Sequence, residues 1–293
     1  MLRRSLARRT VDVSSVGRMT ESRRPAPSPA GQQLDRSRSV RAATAFVIAA
    51  LVLITLICGV FLLSGVELPD WLTVIGRWIP AVVSLGVIVL FRLPNSVGHW
   101  WMLRPGGMRR LFGGLATGVL GLAAIYALAA AVGVSLGLAT PLTGADYLQI
   151  ALLTVPMALL FSLSTLGEEA AWRAFLPQLV PGMNRWGRAI TISGIWVVFH
   201  IPLHGTMILQ GTLDPSTGIV STLLLLPLGV FLAMLVERFG SVWPAVIAHA
   251  VPMSVLNLVA NAAELPSSAL WGLAGITAIT LTIGAVIVAP IRR

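Results

Sequence analysis

The sequence predicts an all-α polytopic membrane protein with about eight transmembrane helices, and three observations carry that reading. Of 293 residues, 56% are hydrophobic and only 11% charged. A soluble domain is about a quarter charged, so this chain lacks the polar groups to cover a water-facing surface. The apolar residues also come in nearly unbroken runs close to the ~20 residues a bilayer-spanning helix needs. Outer-membrane barrel strands would instead alternate over about ten residues. Finally, the loops between the runs alternate between arginine-bearing and arginine-free.

Residues 1–40 are rich in Arg, Ser and Pro and show no periodic apolar face. They read as a disordered basic tail, with a membrane domain over 41–293. The spans fall near 42–65, 72–91, 111–133, 148–168, 188–208, 218–236, 242–261 and 268–290. Pro156, Pro202, Pro227 and Pro252 lie inside spans, where neighbouring helices can satisfy the freed carbonyls, and each predicts a kink.

All 21 basic residues are arginine, and ten precede the first apolar run. GVELPD after span one has no arginine, whereas the next loop holds Arg92, Arg104, Arg109 and Arg110. SLGLATPLTGAD has none, and Arg173, Arg185 and Arg188 flank the one after it. Asp214 marks an arginine-free loop, Arg238 a basic one and Glu264 the last arginine-free one, before Arg292 and Arg293. By the positive-inside rule both termini are cytoplasmic. The basic tail is expected to meet anionic membrane lipids rather than nucleic acid. Cys58 is the only cysteine, which excludes an internal disulfide and a cysteine-based metal cluster. Arg77, one turn inside span two, is expected to snorkel outward. No internal repeat of the transporter kind is evident.

Ionisable groups within the bilayer are costly and mark functional sites. In GEEAAWRAF, Glu169 and Arg173 stand at i and i+4 and predict an ion pair. Glu168 points about 100° away, free to act as a base, although the three charges could equally cap span four. In SGIWVVFHIPLH, His200 lies about 18 Å from Arg188 by helical rise. His204 is about 6 Å further and reads as interfacial, and His99 reads likewise. His249 lies about 14 Å from Gly240, so His200 and His249 reach similar depths from the arginine-rich side.

Glu168-Glu169-x-x-x-Arg173, then Trp196-x-x-x-His200, then an isolated His249 resemble the EExxxR, FxxxH and HxxxN/D motifs of the CPBP intramembrane protease family. That family includes the type II CAAX prenyl endopeptidases and bacteriocin-processing or immunity proteins. The resemblance covers roughly 148–261. It implies an eight-helix bundle with a cavity open to the cytoplasm, and peptide hydrolysis without a covalent intermediate. Glu168 would activate water, His200 would orient the water or the scissile carbonyl, and His249 would stabilise the oxyanion. Glu169 and Arg173 would hold the motif helix, and Trp196 would line the cavity. Two departures stand out. Trp196 replaces Phe, and Met253 occupies the Asn/Asp position. Asn257, one turn further along the same face, would substitute if Pro252 bends the helix.

The favoured scheme needs no cofactor. A second scheme has Glu168, His200 and His249 bind a divalent zinc that acidifies the water. The expected partner is a membrane-associated peptide or protein substrate, prenylated if the CAAX members are the guide. Two other classes compete. One is a non-catalytic partner-binding or immunity-type protein, motivated by Met253. The other is a proton-relay transporter, disfavoured by the lack of repeats and the few embedded polar groups.

Overall fold

The computed structural model describes residues 35–251, 253–260 and 262–291. The expected disorder of 1–34, the kink at Pro252 and the closing Arg292 and Arg293 lie outside the described residues. The expected tail ends earlier than residue 40, because helix α1 (Arg36–Ser64) begins at Arg36. Asp35 caps it by accepting from the amide of Ser37, 3.4 Å away. That bond and the Ser37 hydroxyl hold the Asp35 carboxyl below the usual carboxylate range.

The chain continues through α2 (Asp70–Ile75), a 3-10 turn (Gly76–Trp78), α3 (Ile79–Leu90), α4 (Val97–Trp100) and α5 (Met108–Ser135). Then come α6 (Gly144–Glu169), a π-helical turn (Ala170–Phe175), α7 (Leu176–Leu179), α8 (Arg185–Leu209), α9 (Pro215–Phe239), α10 (Trp243–Ala250) and α11 (Ser267–Val288). Among the described residues, seven helical segments are long and apolar enough to cross a membrane. Their outward faces carry exposed Leu63, Val89, Leu90, Leu160, Leu163 and Ile287. Exposed apolar surface on that scale suits lipid rather than water. The protein is an integral, all-α polytopic membrane protein. Pro156, Pro202 and Pro227 sit inside continuous helices.

The expectation of eight spanning helices is corrected at 242–261. Among the described residues of that run, only Trp243–Ala250 is α-helical. A 3-10 turn (Val255–Leu258) follows, then a two-residue strand, β2 (Val259–Ala260), paired antiparallel with β1 (Thr140–Pro141). Hydropathy does not register the cause. A residue before proline is disfavoured in the α region, and Val251, which precedes Pro252, has ψ 116. Irregular backbone at membrane depth is tolerated where protein buries it or it lines a cavity. Here α10 is packed by α5, α6 and α9. Gly118 of α5 permits this approach, since a Cβ there would stand 2.8 Å from the carbonyl oxygen of Pro244.

Contacts sort the loops into the two groups read from the arginines. At one end, Arg38 donates to the carbonyls of Phe91 and Arg92. Gln178 donates to the Trp100 carbonyl, and the Trp243 indole donates to that of Leu103. Arg238 donates to the carbonyls of Ile287 and Val288. At the other end, Gln210 holds Leu68 and Val66, Ser216 meets Ser267, and Thr140 pairs with Ala260. The bundle thus has one arginine-rich and one arginine-free end.

Candidate active site

The motif helix changes pitch where the charges lie. The α-helical ladder of α6 ends at Glu169 and gives way to the π turn. Pro177 lacks the N–H that would continue the α ladder to the carbonyl of Arg173. The amide of Leu176 accordingly reaches back five residues to the Ala171 carbonyl. Such turns recur at functional sites. Gly167 supplies the second local device. A Cβ there would stand 2.6 Å from the Arg77 carbonyl oxygen and 2.8 Å from the Trp78 Cα. Glycine therefore lets the 3-10 turn after α2 lie directly on α6, one residue from Glu168.

Side chains distant in sequence converge here. Glu168 Oε1 lies 3.7 Å from His200 Nε2, and Glu168 Oε2 lies 3.8 Å from His249 Nδ1. His249 Nδ1 is 2.8 Å from Glu169 Oε1, and Arg173 Nε is 3.5 Å from Glu169 Oε2. Glu168, Glu169 and Arg173 are all buried. The i, i+4 ion pair forms, while Glu168 faces the two imidazoles rather than Arg173, so both histidines meet the same carboxylate.

Hydrogen bonds fix what each group presents. His200 Nδ1 is 2.9 Å from the Trp196 carbonyl, which can only accept, so Nδ1 carries the proton. Nε2 is then the His200 atom that faces Glu168. It and Glu168 Oε1, 3.7 Å apart, are within reach of one bridging water, whose bonds are about 2.8 Å each. Glu168 Oε2 accepts no hydrogen bond among the described residues. The donors for that carboxylate must therefore come from outside these side chains. His249 donates through Nδ1 to Glu169, which leaves its Nε2 as the outward group. The fully buried Trp196 ring meets His200 at 5.2 Å and His249 at 5.4 Å, both edge-on, with the Arg173 guanidinium carbon 4.2 Å from its centroid. Trp196 is thus a platform beneath both imidazoles. It does not line either of the cavities that reach them, contrary to expectation.

Two cavities reach the cluster. One, of about 350 Å³, is lined by Glu168, His200, His249, His204, Arg77 and a set of apolar side chains that includes Met207 and Leu213. The other, of about 510 Å³, is lined by Asp70, Thr73, Arg77, His249, Met253 and Asn257, among others. Leu213, Asp70 and Asn257 belong to the arginine-free end, so both cavities extend that way. Toward the arginine-rich end stand buried Trp172, Trp196 and Phe175. The resemblance implies a cytoplasm-facing cavity. If the arginine-rich end is cytoplasmic, the lining points to the opposite side.

Several readings need correction. Arg77 does not snorkel away; it lines both cavities beside Glu168 or His249. His204 is not merely interfacial. It lines the first cavity, its Nδ1 is 2.6 Å from the Thr222 hydroxyl, and its ring lies 5.6 Å from that of His200. Asn257 does not continue the helical face of His249, because α10 stops at Ala250. Its Oδ1 instead accepts from the amide and hydroxyl of Ser254, at 2.9 and 2.7 Å, although Asn257 still borders the second cavity. Arg77 could have been found from sequence as an intramembrane charge; the snorkelling rule hid it.

The alternative metal scheme would use Glu168, His200 and His249. Among the described residues, the donor atoms that cluster within 4.8 Å belong to Glu168, Glu169 and His249. Glu169 in that set already faces Arg173 and accepts from His249 Nδ1. A cation there would have to displace that N–H and compete with a guanidinium. This arrangement fits a metal poorly.

Residues 150–255 match the protein-family model Type II CAAX prenyl endopeptidase Rce1-like. Over that stretch the chain is similar to the family whose motifs it carries. That family is a protease family. No curated protein matches the chain.

Proposed function

We propose that this CPBP-family protein is an intramembrane endopeptidase in which Glu168 is the general base. The observation that carries the reading is the Glu168 carboxylate, buried 3.7 and 3.8 Å from two imidazole nitrogens at the wall of a cavity. A water donating one hydrogen to Glu168 and the other to His200 Nε2 presents an oxygen lone pair to a peptide carbonyl. As the water oxygen bonds to the carbonyl carbon, its proton passes to Glu168 and the carbonyl oxygen becomes an oxyanion. His249, held through Nδ1 by Glu169, turns Nε2 toward that charge as the oxyanion donor, and Arg77 adds a guanidinium. Fixed donors of this kind account for much of the stabilisation in acyl transfer. Glu168 then gives the proton to the leaving nitrogen as the C–N bond breaks, releasing an amine and a carboxylic acid. Glu169 and Arg173 hold His249 and the motif helix in place.

The substrate is a membrane-associated peptide or protein with an apolar flank, matched by Leu72, Leu203, Met207 and Leu225 along the first cavity. With the arginine-rich end in the cytoplasm of a bacterial cell, that substrate enters from the opposite face of the membrane. The test is cleavage of a membrane peptide library by purified wild-type and Glu168→Gln protein, with metal content measured on the same samples. Loss of cleavage by a protein that stays folded supports the base. Retained cleavage removes Glu168 from that role, and stoichiometric zinc that restores activity after chelation favours the metal scheme. The non-catalytic alternative rests on Met253, a thioether in the second cavity where the family has Asn or Asp. A wild-type protein that binds a membrane partner yet cleaves nothing in the library would select it.

A further inference from the structure

A third cavity, of about 480 Å³, occupies the arginine-rich end, away from the catalytic water. Pro181, Glu237 and Gly240 form its exposed rim, and half-buried Arg185 and Arg188 stand just inside. Its floor includes Arg173 and Ser193, which are 3% and 0% exposed. Arg173 Nη1 and Nη2 and the Ser193 hydroxyl have no hydrogen-bond partner among the described residues. A buried donor left unsatisfied costs about 1–3 kcal/mol, and more when charged. The floor therefore offers donors without acceptors.

Charge and shape define what would complete it. The lining carries three arginines against one acid, Glu237, and Glu237 is already paired with Arg188. Glu169 meets Arg173 through its Nε edge, leaving the two terminal nitrogens. Among the described residues, Arg185 donates to the neutral carbonyl of Pro290. The remaining walls are apolar, chiefly Ile192, Ala189, Ala233 and Val236. A guanidinium fork suits a carboxylate or phosphate, and the walls suit a hydrocarbon stem.

We propose that this cavity binds an anionic amphiphile whose phosphate or carboxylate group meets Arg173 and Ser193, its apolar stem lying against the walls. Arg185 and Arg188 attract the anion at the mouth. Because Arg173 also holds Glu169, and Glu169 holds His249, occupancy would adjust the catalytic cluster from behind. That last consequence, unlike the binding itself, rests on the protease reading.

The test uses the full chain in neutral detergent, titrated with short-chain phosphatidate, the matching phosphatidylcholine and inorganic phosphate. Quenching of tryptophan fluorescence reports binding, since Trp100 and Trp172 line the cavity. Saturable binding of phosphatidate is expected, with phosphatidylcholine at least tenfold weaker. Arg185→Gln combined with Arg188→Gln should weaken phosphatidate by tenfold or more, and Ala189→Phe should block it by filling the cavity. Inorganic phosphate matching phosphatidate would support the anion site but assign it a water-soluble ligand. Equal affinity for the zwitterionic lipid, or undiminished affinity in both folded variants, would overturn the proposal. None of these readouts depends on proteolysis, so failure of binding and failure of the protease reading are separable.

Discussion

Gly167→Ala tests whether the close seating of α6 on the turn after α2 governs the site. The added methyl would lie 2.6 Å from the Arg77 carbonyl oxygen and 2.8 Å from the Trp78 Cα, whereas real Cβ contacts essentially never fall below 3.0 Å. Both obstacles are backbone, so no rotamer change relieves them. One element must retreat by at least about 0.4 Å, the difference between those distances, and a comfortable fit requires nearly twice that. Overpacking of this kind costs about 1–3 kcal/mol. The displacement falls beside Glu168 and carries Arg77 with it. A shift of about 1 Å can cost on the order of a hundredfold in rate, so roughly tenfold is expected here. The assay pairs thermal unfolding in detergent with kcat on a cleaved peptide. Gly194→Ala is the control, because a Cβ there meets nothing within 4 Å. A Gly167→Ala protein matching wild type in both melting temperature and kcat would show that the two elements do not pack this way.

The other predictions concern charges and donors. Glu169→Gln leaves the buried Arg173 without its carboxylate and should destabilise the protein by about 3–5 kcal/mol, read as a lower melting temperature. Glu168→Gln should cost less stability than that, since Arg173 keeps its Glu169 partner at 3.5 Å and only the longer contacts to His200 and His249, at 3.7 and 3.8 Å, lose their charge. Met253→Asn puts an amide donor at the edge of the second cavity and should raise kcat several-fold; unchanged kcat would mean that Arg77 already supplies what the oxyanion needs. Arg77→Gln should lower kcat by about 10²-fold, the cost of one oxyanion donor, with KM little affected. A parallel change in KM would instead make Arg77 a substrate-binding group.

Much of the architecture was readable beforehand because lipid imposes it locally. Seven of the eight expected spans appear as long helices, since an unbroken apolar run of bilayer length has few other stable forms. The eighth misled because its composition is equally apolar, while Val251 before Pro252 ends the helix at Ala250. The site was legible to the extent that charge in a membrane is conspicuous. Glu168, His200 and His249 stand out for that reason, and the spacing of Glu169 and Arg173 fixes their pairing. Arg77 and His204 were missed because nearness to a span end suggests an interfacial residue. Which way those side chains turn depends on neighbours far along the chain.

The sequence alone determined the membrane-spanning class, the sorting of loops by arginine and which ionisable side chains lie within the spans. These follow from solvation costs that each segment meets by itself. Tertiary structure alone decided that Trp196 lies under both imidazoles, that His249 is tied to Glu169, and that the cavities reach the cluster from the arginine-free end. Those outcomes depend on how α2, α6, α8 and α10 pack, through close approaches such as that at Gly167, and such contacts leave no periodic trace in the order of residues.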